Sequence, residues 1–231
     1  MAKHWAREQI KRNEIAILLE KFIALYQKNR EMLIAGTGIG IILVVVAVYF
    51  IIQYRSLNVR AWDQLAQAQI MARSGQLEQS ESKLKGIYQN FKRTPAAIHS
   101  LLFLGEIYLN LKDYQKAAEV YNELINTQQS NILLPFAYIG LGAALQDSGN
   151  LEKAIGIYET FGEKYSDHFL YPAVLQSASY CYEKLSMPEK ARNNYEKIVT
   201  LYPQSMWAES SYSLLKLLDG NMNIPNTKET Q

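Results

Sequence analysis

Residues 32–52 read MLIAGTGIGIILVVVAVYFII, 21 positions without a charge. Wound as a helix at 1.5 Å per residue, such a stretch covers about 31 Å, the thickness of a bilayer's hydrocarbon core. A helix in a small soluble domain keeps a polar face for water, and this stretch has none. It therefore sets the plan of the chain: a charged arm over 1–31, a transmembrane helix over 32–52, a folded domain over 53–218 and a polar tail over 219–231. The tail, DGNMNIPNTKETQ, lacks periodicity and is expected to be disordered. A cleaved leader fits less well than an uncleaved anchor. The apolar run exceeds the roughly 7–15 residues of a leader, and the bulky Tyr49-Phe50-Ile51-Ile52-Gln53-Tyr54 offers no small-residue cleavage site.

Charge orients the anchor. Residues 1–31 hold seven Lys or Arg against four Glu, and the remaining 17 basic and 18 acidic residues nearly cancel. Lys21, Lys28 and Arg30 precede the span, whereas Arg55 and Arg60 follow it. The bias places the N-terminus in the cytoplasm and the domain outside, with the reverse topology as the alternative. Within the arm, Ile15, Leu18, Leu19, Phe22, Leu25 and Tyr26 recur at helical spacing. That stripe suits an amphipathic helix at the membrane interface or one docking a cytoplasmic partner. Gly36 and Gly40 form a GxxxG pair that would let two spans approach.

Beyond the span a repeat emerges. Leu101-x-x-Leu104-Gly105-x-x-Tyr108 is followed by Asp113-Tyr114-x-x-Ala117-x-x-x-Tyr121. Thirty-seven residues on come Tyr138-x-x-Leu141-Gly142-x-x-Leu145 and Asn150-Leu151-x-x-Ala154-x-x-x-Tyr158, then Leu175-x-x-Ala178-Ser179-x-x-Tyr182 and Ala191-x-x-x-Tyr195. Counting back reaches Gly75-Gln76-Leu77-x-x-Ser80-x-x-x-Leu84, so a degenerate first unit starts near Ala61, and residues 207–218 supply one last helix. Each unit is predicted to be two antiparallel helices. Gly105, Gly142, Ala117, Ala154 and Ala191 are small where helices must approach, and Tyr121, Tyr158 and Tyr195 fill the space between units. Gly75 and Gly149 fall in the turns, where positive φ is needed. Pro95, Pro135, Pro172 and Pro203 mark the connections between units. No unit buries its apolar face alone, so each leans on the next.

These residues resemble the tetratricopeptide repeat, W-x2-L-G-x2-Y…A-x3-F…P. The resemblance covers about residues 61–218 and implies an all-α solenoid of about four helix pairs plus a capping helix. It departs in its 37-residue period, against the usual 34, and in Gln67-Ala68 where Leu-Gly is customary. The looser spacing is similar to repeats of bacterial envelope proteins, including the outer-membrane assembly lipoproteins.

The resemblance also implies a protein-binding groove lined by the first helices. The second, fifth and ninth positions of each unit would face it, and six of these twelve are large and apolar or aromatic: Trp62, Leu65, Leu102, Phe136, Ile139 and Tyr180. If the array instead closes on its final helix or on the membrane-proximal helix, the same residues are core. The Lys and Asn residues of the carboxylate-clamp repeats are absent, so the groove would suit extended or apolar chains rather than acidic tails.

Catalytic and cofactor chemistry find little support. His4, His99 and His168 are scattered, and no HExxH, GxSxG, P-loop or GxGxxG occurs. Cys181 is the only cysteine, which excludes an internal disulfide and a multi-cysteine zinc site; between Tyr180 and Tyr182 it reads as a packed core thiol. A net charge of +2 with no basic stripe does not fit nucleic acid. The expectation is a non-enzyme with no cofactor, no metal, no nucleic acid and no small-molecule substrate. Its partners would be proteins, with the membrane held through one helix.

An arm with Lys21-Phe22, a span opening Ile34-Ala35-Gly36, and Tyr54 leading into repeats is also similar in layout to the ancillary subunit of the bacterial Sec translocon. That resemblance implies an inner-membrane protein whose periplasmic array meets translocon subunits, chaperones or secreted chains. The alternative is a scaffold in division, cell-wall or outer-membrane assembly.

Overall fold

A computed structural model describes residues 17, 20 and 30–222. The stripe predicted within the arm lies, apart from its surroundings at Ile17 and Glu20, outside the described residues, as does the tail from residue 223. Among the described residues the structure is entirely helical, with α1 Arg30–Arg73, α2 Leu77–Asn90, α3 Pro95–Asn110, α4 Tyr114–Thr127, α5 Leu134–Asp147, α6 Leu151–Lys164, α7 Tyr171–Lys184, α8 Pro188–Leu201 and α9 Ala208–Met222. The chain divides into two compact units, Met1–Ser56 and Leu57–Gln231.

In the first unit, α1 supplies the one described helix long and apolar enough to cross a membrane. Ile41, Val44 and Phe50 are exposed, as lipid-facing side chains would be.

In the second unit, helices alternate between two kinds of connection. Residues 74–76, 111–113, 148–150 and 185–187 are three-residue turns inside a pair; 91–94, 128–133, 165–170 and 202–207 lead from one pair to the next. Connections this short make neighbouring helices antiparallel. All four inner turns close alike. The residue in the left-handed region is Gly75 (φ 81°), Lys112 (59°), Gly149 (82°) or Ser186 (58°), each 37 positions after the last. The following amide reaches back over the turn: Gln76 N to Met71 O, Asp113 N to Tyr108 O, Asn150 N to Leu145 O and Met187 N to Tyr182 O, at 2.8–2.9 Å. With the bonds that residues 75, 112, 149 and 186 donate three positions back, at 3.0–3.1 Å, this is the Schellman closure, which satisfies carbonyls a helix end leaves open. At the other ends, the Thr94 hydroxyl accepts from Ala97 N, and Pro95, Pro135 and Pro172 occupy the first turns of α3, α5 and α7.

The core runs between the helices. Tyr121 lies buried on α4 beneath Gly105 of α3 and Gly140 of α5; a Cβ at Gly105 would sit 2.5–2.9 Å from three atoms of its ring. Tyr158 on α6 fills the same role against Gly142. Ala117, Ala154 and Ala191 are completely buried at corresponding places on α4, α6 and α8. Tyr195 is buried on α8 and its hydroxyl donates to Glu183 at 2.8 Å. In the first pair, buried Ser80 donates to Ala68 O at 2.8 Å, tying α2 to α1 where later units use alanine. Gln146 joins two units: its Oε1 accepts from Tyr158 Oη at 3.2 Å and from Cys181 Sγ at 3.5 Å.

One boundary differs from expectation. α9 continues through residues 219–222, where the sequence reads as aperiodic tail. Asp219 and Gly220 break the apolar spacing without breaking the helix, whose backbone bonds form within the helix itself.

Candidate protein-binding surface

The residues expected to line a groove divide on burial. Leu65 is 1% exposed and joins the core with Ala61, Ala68 and Leu84, so it does not contribute to an open surface. This corrects its assignment: once α2 and α3 pack over α1, the fifth position of the first pair is interior. Leu102 and Ile139 are half-buried at the equivalent places on α3 and α5. Trp62, Phe136 and Tyr180 are 41%, 36% and 45% exposed.

Ring and ammonium contacts surround these residues. Trp62 on α1 lies over His99 on α3, with centroids 5.0 Å apart. Phe136 on α5 meets His168 edge-on at 5.8 Å, and His168 packs on Phe169 at 4.7 Å. The Lys184 ammonium sits 5.3 Å above the Tyr180 ring. Burial holds the His99 imidazole below its ordinary pKa and raises the Glu106 carboxyl above its own. A protein surface with desolvated side groups and partly exposed aromatic faces favours apolar or neutral chain segments over charged ones. The histidines gave no sequence signal as aromatic partners; His99 stands in the second position of its unit, where Trp62 and Phe136 stand in theirs, but its residue type pointed elsewhere.

Two clefts flank the helices. One of about 340 Å³ lies among α1, α2 and α3, with Gln69, Arg73, Glu106 and Asn110 on its wall. Another of about 420 Å³ lies among α6, α7 and α8, beside Glu159, Tyr171, Tyr182 and Lys197. In the second, polar groups are engaged with one another: Tyr182 donates to Glu159 at 2.7 Å and Lys197 to Tyr171 at 2.9 Å. Burial, then the Glu159 hydrogen bond, pushes Tyr182 up to about 12. Among the described residues no group of three or more His, Cys, Asp or Glu side chains is placed to hold a metal. Cys181 is buried, and burial followed by the charge of Asp147 pushes its thiol up to about 11.

Comparison with known proteins bears on this arrangement. Sequence models of the tetratricopeptide repeat match residues 98–131 and 173–205. The fold is a tetratricopeptide-repeat solenoid. Solved structures agree at the level of fold. A tetratricopeptide repeat protein from Parabacteroides merdae superposes with TM-score 0.58 at 20% identity, over 70% of this chain and 60% of that one. The chain thus spans less than two thirds of that relative. The MamA protein gives 0.56 at 18% identity, covering 69% of this chain and 82% of that one. MamA from Desulfovibrio magneticus RS-1 gives 0.52 at 17%, covering 71% and 97%. No curated protein matches this chain. Tetratricopeptide repeats are protein–protein interaction modules, and partly exposed aromatics stand on three of the first helices here.

Proposed function

We propose that this protein is a membrane-anchored module that holds other polypeptides on the first helices of its array, as a chaperone-like accessory of protein translocation in the bacterial cell envelope. The observation that carries this reading is the face bearing Trp62, Phe136 and Tyr180, partly exposed, with Leu102 and Ile139 half-buried beside them. Aromatic side chains give large contact area at small entropic cost, which suits partners that are extended or incompletely folded. The apolar stretch of α1 serves as an inner-membrane anchor, with the N-terminus in the cytoplasm and the array in the periplasm, following the excess of Lys and Arg before the span.

A photo-crosslinking side chain in place of Phe136 tests the role. A translocation accessory captures translocon subunits and many emerging chains at low stoichiometry. One fixed partner in equal amount would instead make it a scaffold of an envelope assembly. No adduct at Phe136, with adducts only at the opposite helices, would refute binding on this face. Protease accessibility of the C-terminus in intact and opened spheroplasts reads the topology.

A further inference from the structure

Among the described residues, the three most exposed large apolar side chains are Met206 at 82%, Ile132 at 79% and Phe169 at 68%, each above any in the apolar part of α1. They are spaced by 37 residues, so they occupy the same place in three successive connections between pairs. Ile132 and Phe169 stand immediately before the N-cap residues Leu133 and Leu170. An apolar residue there often folds back on the first turn of its helix, whereas these stand largely exposed, Phe169 with one face on His168.

Their surroundings are depleted of charge. No Asp, Glu, Lys or Arg occurs from Thr127 to Ala137 or from Leu201 to Ala208, and the connection between them, bordered by Lys164, carries Asp167 alone from Tyr165 to Leu175. Half-buried Tyr165, Tyr202 and Trp207 flank the tips, the residue types that settle at a membrane–water interface. The remaining connection contributes Lys92 and Arg93, a match for anionic headgroups. The inner turns at the opposite edge border or contain charge at Arg73, Lys112, Asp113, Asp147 and Lys184.

Topology decides which edge is which. Antiparallel pairs put the connections between units, and the start of every first helix, on one side of the array. The array's own portion of the chain begins there, at Leu57, five residues after the apolar stretch ends at Ile52. The edge with the protruding apolar tips is therefore the edge at which the chain passes from the apolar stretch into the array.

We propose that this edge rests on the bilayer, with Ile132, Phe169 and Met206 entering the boundary between headgroups and acyl chains. Separate knobs on successive connections, spaced by packed helices, do not make a groove for one extended peptide. A fluid apolar phase conforms to each knob wherever it stands, and the headgroup–acyl boundary is where apolar faces of membrane-surface elements settle. The short tether keeps the edge at high effective concentration beside the lipid, so each contact needs little affinity of its own.

The inference rests on the anchor reading above, and the experiment separates the two. The full chain with Cys181→Ser is reconstituted into phosphatidylethanolamine–phosphatidylglycerol vesicles, and a nitrobenzoxadiazole label is attached at Ile132→Cys, Phe169→Cys or Met206→Cys. Tyr49→Cys in the span and Met187→Cys at the opposite edge serve as references. Lipids brominated on their acyl chains should remove at least half as much emission at the three edge positions as at Tyr49, and none at Met187. Quenching at Tyr49 alone overturns the edge contact and leaves the anchor standing. Loss at neither Tyr49 nor the edge overturns both. Equal quenching at Met187, or blue-shifted but unquenched emission at the edge, also overturns the proposal, the latter because protein rather than lipid then covers the tips.

Discussion

Replacing Gly105 by Ala tests the packing between units at one point. A Cβ there would lie 2.5, 2.7 and 2.9 Å from Cζ, Cε1 and Cε2 of Tyr121, and Gly140 closes on the same ring from α5. The ring has no free side to move toward, so the cost falls at the upper end of the overpacking range, about 3 kcal/mol. Helix propensity works the other way: Ala in place of Gly inside α3 stabilises by about 1 kcal/mol. The net expectation is a loss of about 2 kcal/mol, the difference between those two effects. In a Tyr121→Leu background the three clashing atoms are gone while the position stays apolar, so Gly105→Ala should now stabilise by about 1 kcal/mol. The double-mutant cycle should therefore show a coupling of about 3 kcal/mol. The assay is urea unfolding of the full chain in mild detergent, followed by far-ultraviolet circular dichroism. With a slope of about 1–3 kcal/mol per molar urea, the effect of Gly105→Ala should differ by about 1 M or more in midpoint between the two backgrounds. Equal effects in both would refute the argument that the ring, rather than the glycine's own helix, fixes the residue at position 105.

Three other outcomes are expected. Ser186→Gly should stabilise by about 1 kcal/mol, because a non-glycine residue at positive φ pays a steric penalty, whereas Gly149→Ala should destabilise by about 1–2 kcal/mol; thermal unfolding reads both, and a shared sign would contradict the turn geometry. Cys181 should resist iodoacetamide at pH 8 in the folded chain and react fully in urea, since its thiol is buried and pushed up to about 11; rapid native labelling, followed by mass spectrometry, would show an open path to the sulfur. His99 should titrate by NMR below the ordinary histidine value, because burial disfavours its cation. Its folded pKa is lowered, so the contribution to stability is present above the ordinary value and is lost as pH falls through the folded one. His99→Gln should flatten stability across that window, and a His99 pKa at or above the ordinary value would refute the burial argument.

The solenoid was legible because its physics is periodic. Small residues at Gly105 and Gly142, alanines at 117, 154 and 191, and large rings at 121 and 158 recur at one interval, and an interval of this length has few structural meanings. Gly75 and Gly149 announced their turns by composition. Lys112 and Ser186 hold the same backbone angle without any such announcement; only their register marks them. The surface was harder to read. Position within a unit says which way a side chain points, but not what will cover it. Leu65 and Leu102 occupy the same place in consecutive units, yet one is core and the other half-buried. Ring partners such as Trp62 and His99 are 37 residues apart and meet only because α1 and α3 lie side by side. The end of α9 escaped the sequence for a related reason: periodicity reports burial, and a helix can outlast its buried face.

The uniform closure of the inner turns carries a genetic implication. A segment copied from one such corner to the next, and spliced back in tandem, would meet its neighbours with corners identical to those it left. Gene duplication could thus lengthen this chain by whole 37-residue modules without inventing a new joint. The joint tolerates glycine, lysine or serine at its bend, so copies are free to drift in sequence while the hinge of each one keeps its form.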